Sequence, residues 1–76
     1  MLAFHGTTQE AATKIRREGF KPGTYFALKQ EDAKKFGGPC IFTVEFSDDP
    51  GMWHGESDGW QFHTNVHIPT GQIISG

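Results

Sequence analysis

With 76 residues and a net charge of −2 with histidines neutral, the chain has room for one domain, and no basic surplus draws it to a nucleic-acid backbone. No apolar run approaches the roughly 20 residues that a membrane span needs, and no polybasic or strongly amphipathic segment suits a membrane surface. The start, Met1-Leu2-Ala3-Phe4-His5-Gly6, lacks the basic-then-apolar layout of a signal peptide, and the single Cys40 excludes an internal disulfide, so a cytoplasmic location is expected.

Leu2 to His5 reads as a short strand that Gly6-Thr7 breaks. Thr7-Thr8-Gln9-Glu10 then matches a capping box, with Thr7 as N-cap accepting from the third helical amide and Glu10 reaching back. Ala11, Ala12 and Ile15 share one helical face, and Arg16 and Arg17 in the last turn suit the negative end of the helix dipole. Gly19 is expected in the left-handed conformation, with Phe20 packing back on Ile15 in a Schellman ending. Lys21-Pro22-Gly23 is a turn, and Thr24 to Ala27 a short strand. Glu31 to Phe36 reads as a short helix, acidic at its start, basic at its end and stopped by Gly37. Cys40, Phe42, Val44 and Phe46 alternate with Ile41, Thr43 and Glu45, a strand with one apolar face. Ser47 to Gly59 reads as a loop, Trp60 to Thr64 as a strand, Ile68 to Gly71 as a turn and Gln72 to Ser75 as a last strand. Without repeats or low-complexity tracts, this order predicts a small α+β domain.

Four features could carry chemistry. His5-Gly6-Thr7 stands where a strand meets a helix start, whose free N–H groups suit phosphate or an amide. Tyr25, after a Gly turn, can offer a flat face for stacking. The loop holding Trp53, His54, Glu56, Asp58 and Trp60 can position a ligand. His63 and His67, four apart, lie near His54, but this segment reads as strand and turn, so their rings do not align as they would on a helix and no metal site is expected. Taken alone, packing or solvation accounts for each feature better than a ligand does.

In combination the first two are more specific. Phe4-His5-Gly6-Thr7, a helix ending Glu18-Gly19-Phe20, Pro22-Gly23-Thr24-Tyr25-Phe26-Ala27, and a helix around Ala33 with Phe36-Gly37 resemble the ADP-ribosyltransferase superfamily. The nearer branch is the poly(ADP-ribose) polymerase and diphtheria-toxin group, with its His-Tyr-Glu triad. The likeness covers residues 4 to 46 and remains traceable through Trp60-Gln61-Phe62, Val66 to Pro69 and Gln72-Ile73. It implies one minimal domain over residues 1–76, with a split β-sheet and two short helices. It also implies roles. His5 would bond the adenosine ribose of NAD, the Gly6 backbone the nicotinamide amide, and Tyr25 would stack on the nicotinamide ring. Thr7 and Phe36 join the NAD-binding set, and the third triad position falls on Gln61, where a Glu usually sits.

A carboxylate there would stabilise the positive charge that develops as the nicotinamide–ribose bond breaks. Gln61 can still accept from a ribose hydroxyl, but without net charge its contribution shrinks. Some members of this branch carry Gln or another residue at this position, and Glu56 or Asp58 could supply a carboxylate from the loop, although nothing in the spacing demands it. The resemblance therefore implies an NAD-dependent mono-ADP-ribosyltransferase acting on a protein acceptor, or a slow NAD glycohydrolase, with NAD as substrate. The alternatives are a non-catalytic module that binds NAD, ADP-ribose or a protein, and an interaction protein whose pocket is lost.

Overall fold

The computed structural model describes residues 1–46 and 51–76. Among them, in chain order, are β1 (Leu2–Thr7), α1 (Gln9–Glu18), β2 (Tyr25–Ala27), α2 (Gln30–Gly37), β3 (Cys40–Glu45), β4 (Trp53–Gly55), β5 (Gln61–Thr64), a 3-10 turn (Thr70–Gln72) and β6 (Ile73–Ser75). The fold is α+β: two helices and one antiparallel sheet of order β4-β5-β2-β1-β3-β6. No helix among the described residues is long and apolar enough to cross a membrane.

The pairing within this sheet is uneven. β1 and β3 pair over six registered residues, from Leu2↔Glu45 to Thr7↔Cys40, and β2 and β5 over three. Between β1 and β2, however, the register holds a single pair, Phe4↔Ala27. The sheet is thus two three-stranded halves, β4-β5-β2 and β1-β3-β6, joined at one point and diverging beyond it.

Alternation along the strands sorts the side chains between two faces. Ala3, Phe42, Val44, Phe26 and Phe62 fall on one face and are buried there, with Phe46, Phe20, Ile68 and Ala12 of α1. Phe26 is the hub: its ring meets those of Phe20 at 4.9 Å, Phe46 at 4.8 Å and Phe62 at 5.8 Å. Such aromatic pairs contribute about 0.5–1.5 kcal/mol each beyond the area they bury, which matters in a domain whose core is this small. Thr64, the buried polar side chain of the core, donates its hydroxyl to the Val66 carbonyl at 2.8 Å and so is satisfied.

Both ends of α1 differ from the sequence expectation for a physical reason. β1 runs on to Thr7, which pairs with Cys40, so Thr7 is held in the ladder and the N-cap passes to Thr8. Thr8 Oγ1 accepts from the Ala11 amide at 3.3 Å. Glu10 then stands one position too early to close a capping box, although its charge still suits the first turn. At the other end Gly19 has φ 80° but ψ −162°, outside the left-handed helical region. Instead of closing a Schellman motif, Phe20 bridges Ile68 with reciprocal backbone bonds of 2.9 Å. The loop expected over Ser47 to Gly59 contains β4, which pairs Trp53↔Thr64, His54↔His63 and Gly55↔Phe62; residues 47–50 of that loop lie outside the described residues.

α2 covers the opposite face, and it does so backbone to backbone. A Cβ on Gly6 would collide with the Ala33 carbonyl, and a Cβ on Gly37 with the Gly6 backbone. Two glycines facing each other let the helix sit directly on β1. Gly37→Ala is therefore expected to destabilise the fold by about 2 kcal/mol, the cost of overpacking a tight contact. Gly71→Ala, where an added Cβ meets nothing within 4 Å, is the control and should stay within about 0.5 kcal/mol. Urea denaturation of the two variants checks this, and equal midpoints would contradict the tight β1–α2 contact.

Candidate functional site

Where β1 and β2 diverge, a cleft of about 120 Å³ opens. Its lining comes from β1 (Phe4, His5, Gly6), β2 (Tyr25, Phe26, Ala27), α2 (Asp32, Ala33, Phe36, Gly37) and the entry to β5 (Trp60, Gln61). Of the residues singled out from the sequence, His5, Gly6, Tyr25, Phe36 and Gln61 all converge here. Thr7 does not: it lines a second cavity of about 260 Å³ between α1 and the sheet, with Ala11, Ile15 and Phe20. His5 lines both cavities and stands between them.

The His5 ring is fixed from two sides. It packs on Phe20 and Phe26 at centroid distances of 5.2 and 5.5 Å, and its Nδ1–H donates to the Tyr25 carbonyl at 2.7 Å. That bond spans the split, replacing a backbone pair that β1 and β2 no longer make. Burial pushes the His5 pKa below its ordinary value of 6.5, opposed by the bond to the Tyr25 carbonyl. The ring is therefore neutral at pH 7, and with Nδ1 donating, Nε2 presents a lone pair and accepts. Toward a ribose hydroxyl, His5 is thus an acceptor.

Aromatic rings flank the cleft. Tyr25 is half exposed, and Phe36 and Trp60 face each other at 4.8 Å with planes 32° apart. Of the two tryptophans in the stretch read as a ligand-positioning loop, Trp60 lines the cleft, whereas Trp53 packs on Phe62 against the core. A volume near 120 Å³ falls below the roughly 300 Å³ of a drug-sized pocket and suits one planar ring rather than a whole dinucleotide.

The turn between β4 and β5 brings two carboxylates back onto β5. Gly59, at φ 77°, makes the reversal, with its amide bonded to the Glu56 carbonyl at 3.1 Å and the Glu56 amide to the Gln61 carbonyl at 3.1 Å. Gln61 Nε2 donates to Asp58 at 2.8 Å, which leaves Oε1 of Gln61 free to accept. Glu56 accepts from His63 Nδ1 at 2.8 Å. Neither pairing was read from the sequence, although the two-residue spacing of Gln61 and His63 on a strand already placed them on one face.

The histidines do not converge as metal ligands would. His67 Nε2 donates to the Glu18 carbonyl at 2.8 Å and so satisfies the end of α1, while His63 faces His54 and Glu56. Among the described residues no group of three or more His, Cys, Asp or Glu could hold a metal ion. No family model, curated protein or solved structure matches the chain.

The depressed His5 pKa predicts a pH-dependent stability. Above 6.5 the contribution is complete. As pH falls through the folded value, the unfolded imidazole takes up its proton more readily, and stability is lost. His5→Asn, whose side-chain N–H can still reach the Tyr25 carbonyl but does not titrate, should flatten that part of the profile. Urea midpoints measured between about pH 5 and 8 check this, and an unchanged slope in the variant would contradict it.

Proposed function

We propose that the cleft at the β1–β2 split takes the nicotinamide end of NAD and that the protein is an NAD-dependent mono-ADP-ribosyltransferase or NAD glycohydrolase. The observation that carries this reading is the convergence of His5, Gly6, Tyr25, Phe36 and Gln61, from four separate elements, on one ring-sized cleft with aromatic walls. A likeness in motif alone would not have required them to meet.

In this reading NAD supplies a good leaving group, nicotinamide, and the chain supplies orientation and electrostatics. Tyr25 stacks on the leaving ring, and the Gly6 backbone bonds its amide. His5, neutral and accepting through Nε2, takes a ribose hydroxyl of the adenosine half, so that remote binding holds the reacting bond in place. Gln61 accepts from the nearer ribose, and Asp58 behind it polarises its amide and brings negative charge within one hydrogen bond of the third triad position. A cytoplasmic setting goes with this reading, and the lone Cys40 fits it.

A non-catalytic module of the same fold is the second reading, favoured by one observation: the group in the cleft is a neutral amide, and its carboxylate partner Asp58 is exposed. The two readings separate experimentally. Gln61→Glu alone sets two carboxylates at hydrogen-bond distance, which raises the pKa of one and wastes the added charge. Combined with Asp58→Asn, the donor and acceptor are exchanged and the charge faces the cleft.

The enzyme reading predicts nicotinamide release from NAD, a loss of at least about tenfold in Tyr25→Ala, and a gain in the Gln61→Glu, Asp58→Asn pair of about 10²-fold, the usual worth of one preorganised electrostatic contact. Nicotinamide appearance followed by proton NMR checks all three. NAD line broadening without cleavage in any variant would favour the binding module, and an unaffected Tyr25→Ala would sink the stacking role.

A further inference from the structure

A carboxylate–imidazole pair lies beside the cleft without lining it. His63 is two residues beyond Gln61 on β5 and shares its face, and the β2 register sets Tyr25 directly opposite His63, with ring centroids 5.6 Å apart. His63 Nδ1 is bonded to Glu56 Oε1 at 2.8 Å, and both side chains are only 27–28% exposed. In the neutral ring this bond sets the tautomer, with the proton on Nδ1 toward the carboxylate and the lone pair on Nε2. Nε2 has no hydrogen-bond partner among the described residues.

Packing alone gives a weak account of this pair. The ring is on the face opposite the aromatic core, and a half-buried carboxylate is costly unless it is used to hold something. A carboxylate that orients an imidazole through one ring nitrogen, leaving the other open, is the arrangement a general base needs.

We propose that His63 is the base that deprotonates a hydroxyl-bearing acceptor at the mouth of the cleft, with Glu56 as its positioning residue. This rests on the NAD reading above. In the step, the acceptor O–H gives its proton to His63 Nε2, and the oxygen lone pair forms the new bond to the ribose carbon. The carbon–nitrogen bond to nicotinamide breaks, and its electron pair leaves on the nicotinamide nitrogen, which becomes neutral. His63, now an imidazolium paired with Glu56, returns its proton to water. The balance needs no further reactant.

The base also names the acceptor class. An ionised carboxylate is already a nucleophile and gains nothing from a base, whereas a hydroxyl at neutral pH does. In this proposal the acceptor is an alcohol side chain or, for hydrolysis, water. The charged and titratable groups that face His63 are Glu56 from the β4–β5 turn, His54 from β4 at 5.3 Å and Tyr25 from β2. Asp58 stands beyond Gln61, and Asp32 of α2 lines the cleft itself.

Three nucleophiles test the role: water, methanol and azide, each with NAD as substrate and nicotinamide release as readout. Azide is anionic and needs no base. His63→Gln should lower the rates with water and methanol by about 10²-fold, within the usual worth of a positioned base, and keep most of the azide rate with the KM for NAD unchanged. Retained azide turnover also shows that the variant is folded. Glu56→Gln should lose less, because the imidazole keeps its lone pair and loses only the carboxylate that orients it.

An unchanged water rate in His63→Gln overturns the base and leaves the NAD reading standing. Azide and water rates that fall together overturn it as well, since His63 would then support the site's shape. A wild-type protein that releases no nicotinamide with any of the three overturns both.

Discussion

The bond from His5 Nδ1 to the Tyr25 carbonyl spans the place where β1 and β2 stop pairing, and the site depends on it. A continuous sheet would satisfy that carbonyl with a backbone amide and close the cleft. Here a side chain does so instead, and the carbonyl keeps a partner where the strands separate. The same ring packs on Phe20 and Phe26, so the hydrophobic core holds the imidazole in place while the imidazole holds the split at a fixed width. One residue thereby couples the core to the opening.

The rest of the molecule braces this opening from both faces. On one, interlocked phenylalanines centred on Phe26 tie the two half-sheets together where their backbones do not. On the other, α2 lies against β1 through the Gly6–Gly37 contact and carries Phe36 to the cleft's rim, where it meets Trp60. The β4–β5 turn then folds Asp58 and Glu56 back onto Gln61 and His63. At Gln61 the cleft therefore meets a neutral amide with the Asp58 carboxylate one bond behind it, while Asp32 of α2 lines the cleft as well.

Much of this was legible in the residues. The α+β class, both helices, the turn at Lys21-Pro22-Gly23 and the apolar face of β3 follow from periodicity and helix stop signals, because those signals are local. The convergence of His5, Gly6, Tyr25, Phe36 and Gln61 was readable as a motif. What was missed was set by partners distant in sequence. Thr7 lost its cap role because Cys40 draws it into the ladder, and Gly19 left the helix differently because Ile68 captures Phe20. β4 is three residues, Trp53 to Gly55, in a stretch rich in Gly, Asp and Ser, and it is a strand only because β5 pairs with it. Likewise the bonds of Asp58 to Gln61 and of Glu56 to His63 exist only once the reversal at Gly59 is made.

If NAD binds as proposed, it meets the protein where β1 and β2 diverge. The most direct measurement is a titration of isotope-labelled protein with NAD, followed by amide and indole chemical shifts. Binding at the split would concentrate the shifts at Gly6, Tyr25, Ala27, the Gln61 side-chain amide and the Trp60 indole, with smaller ones along α1 beyond His5. Spectra unmoved at saturating NAD, or shifts confined to the outer surface of α2 around Lys29 and Lys34, would contradict it.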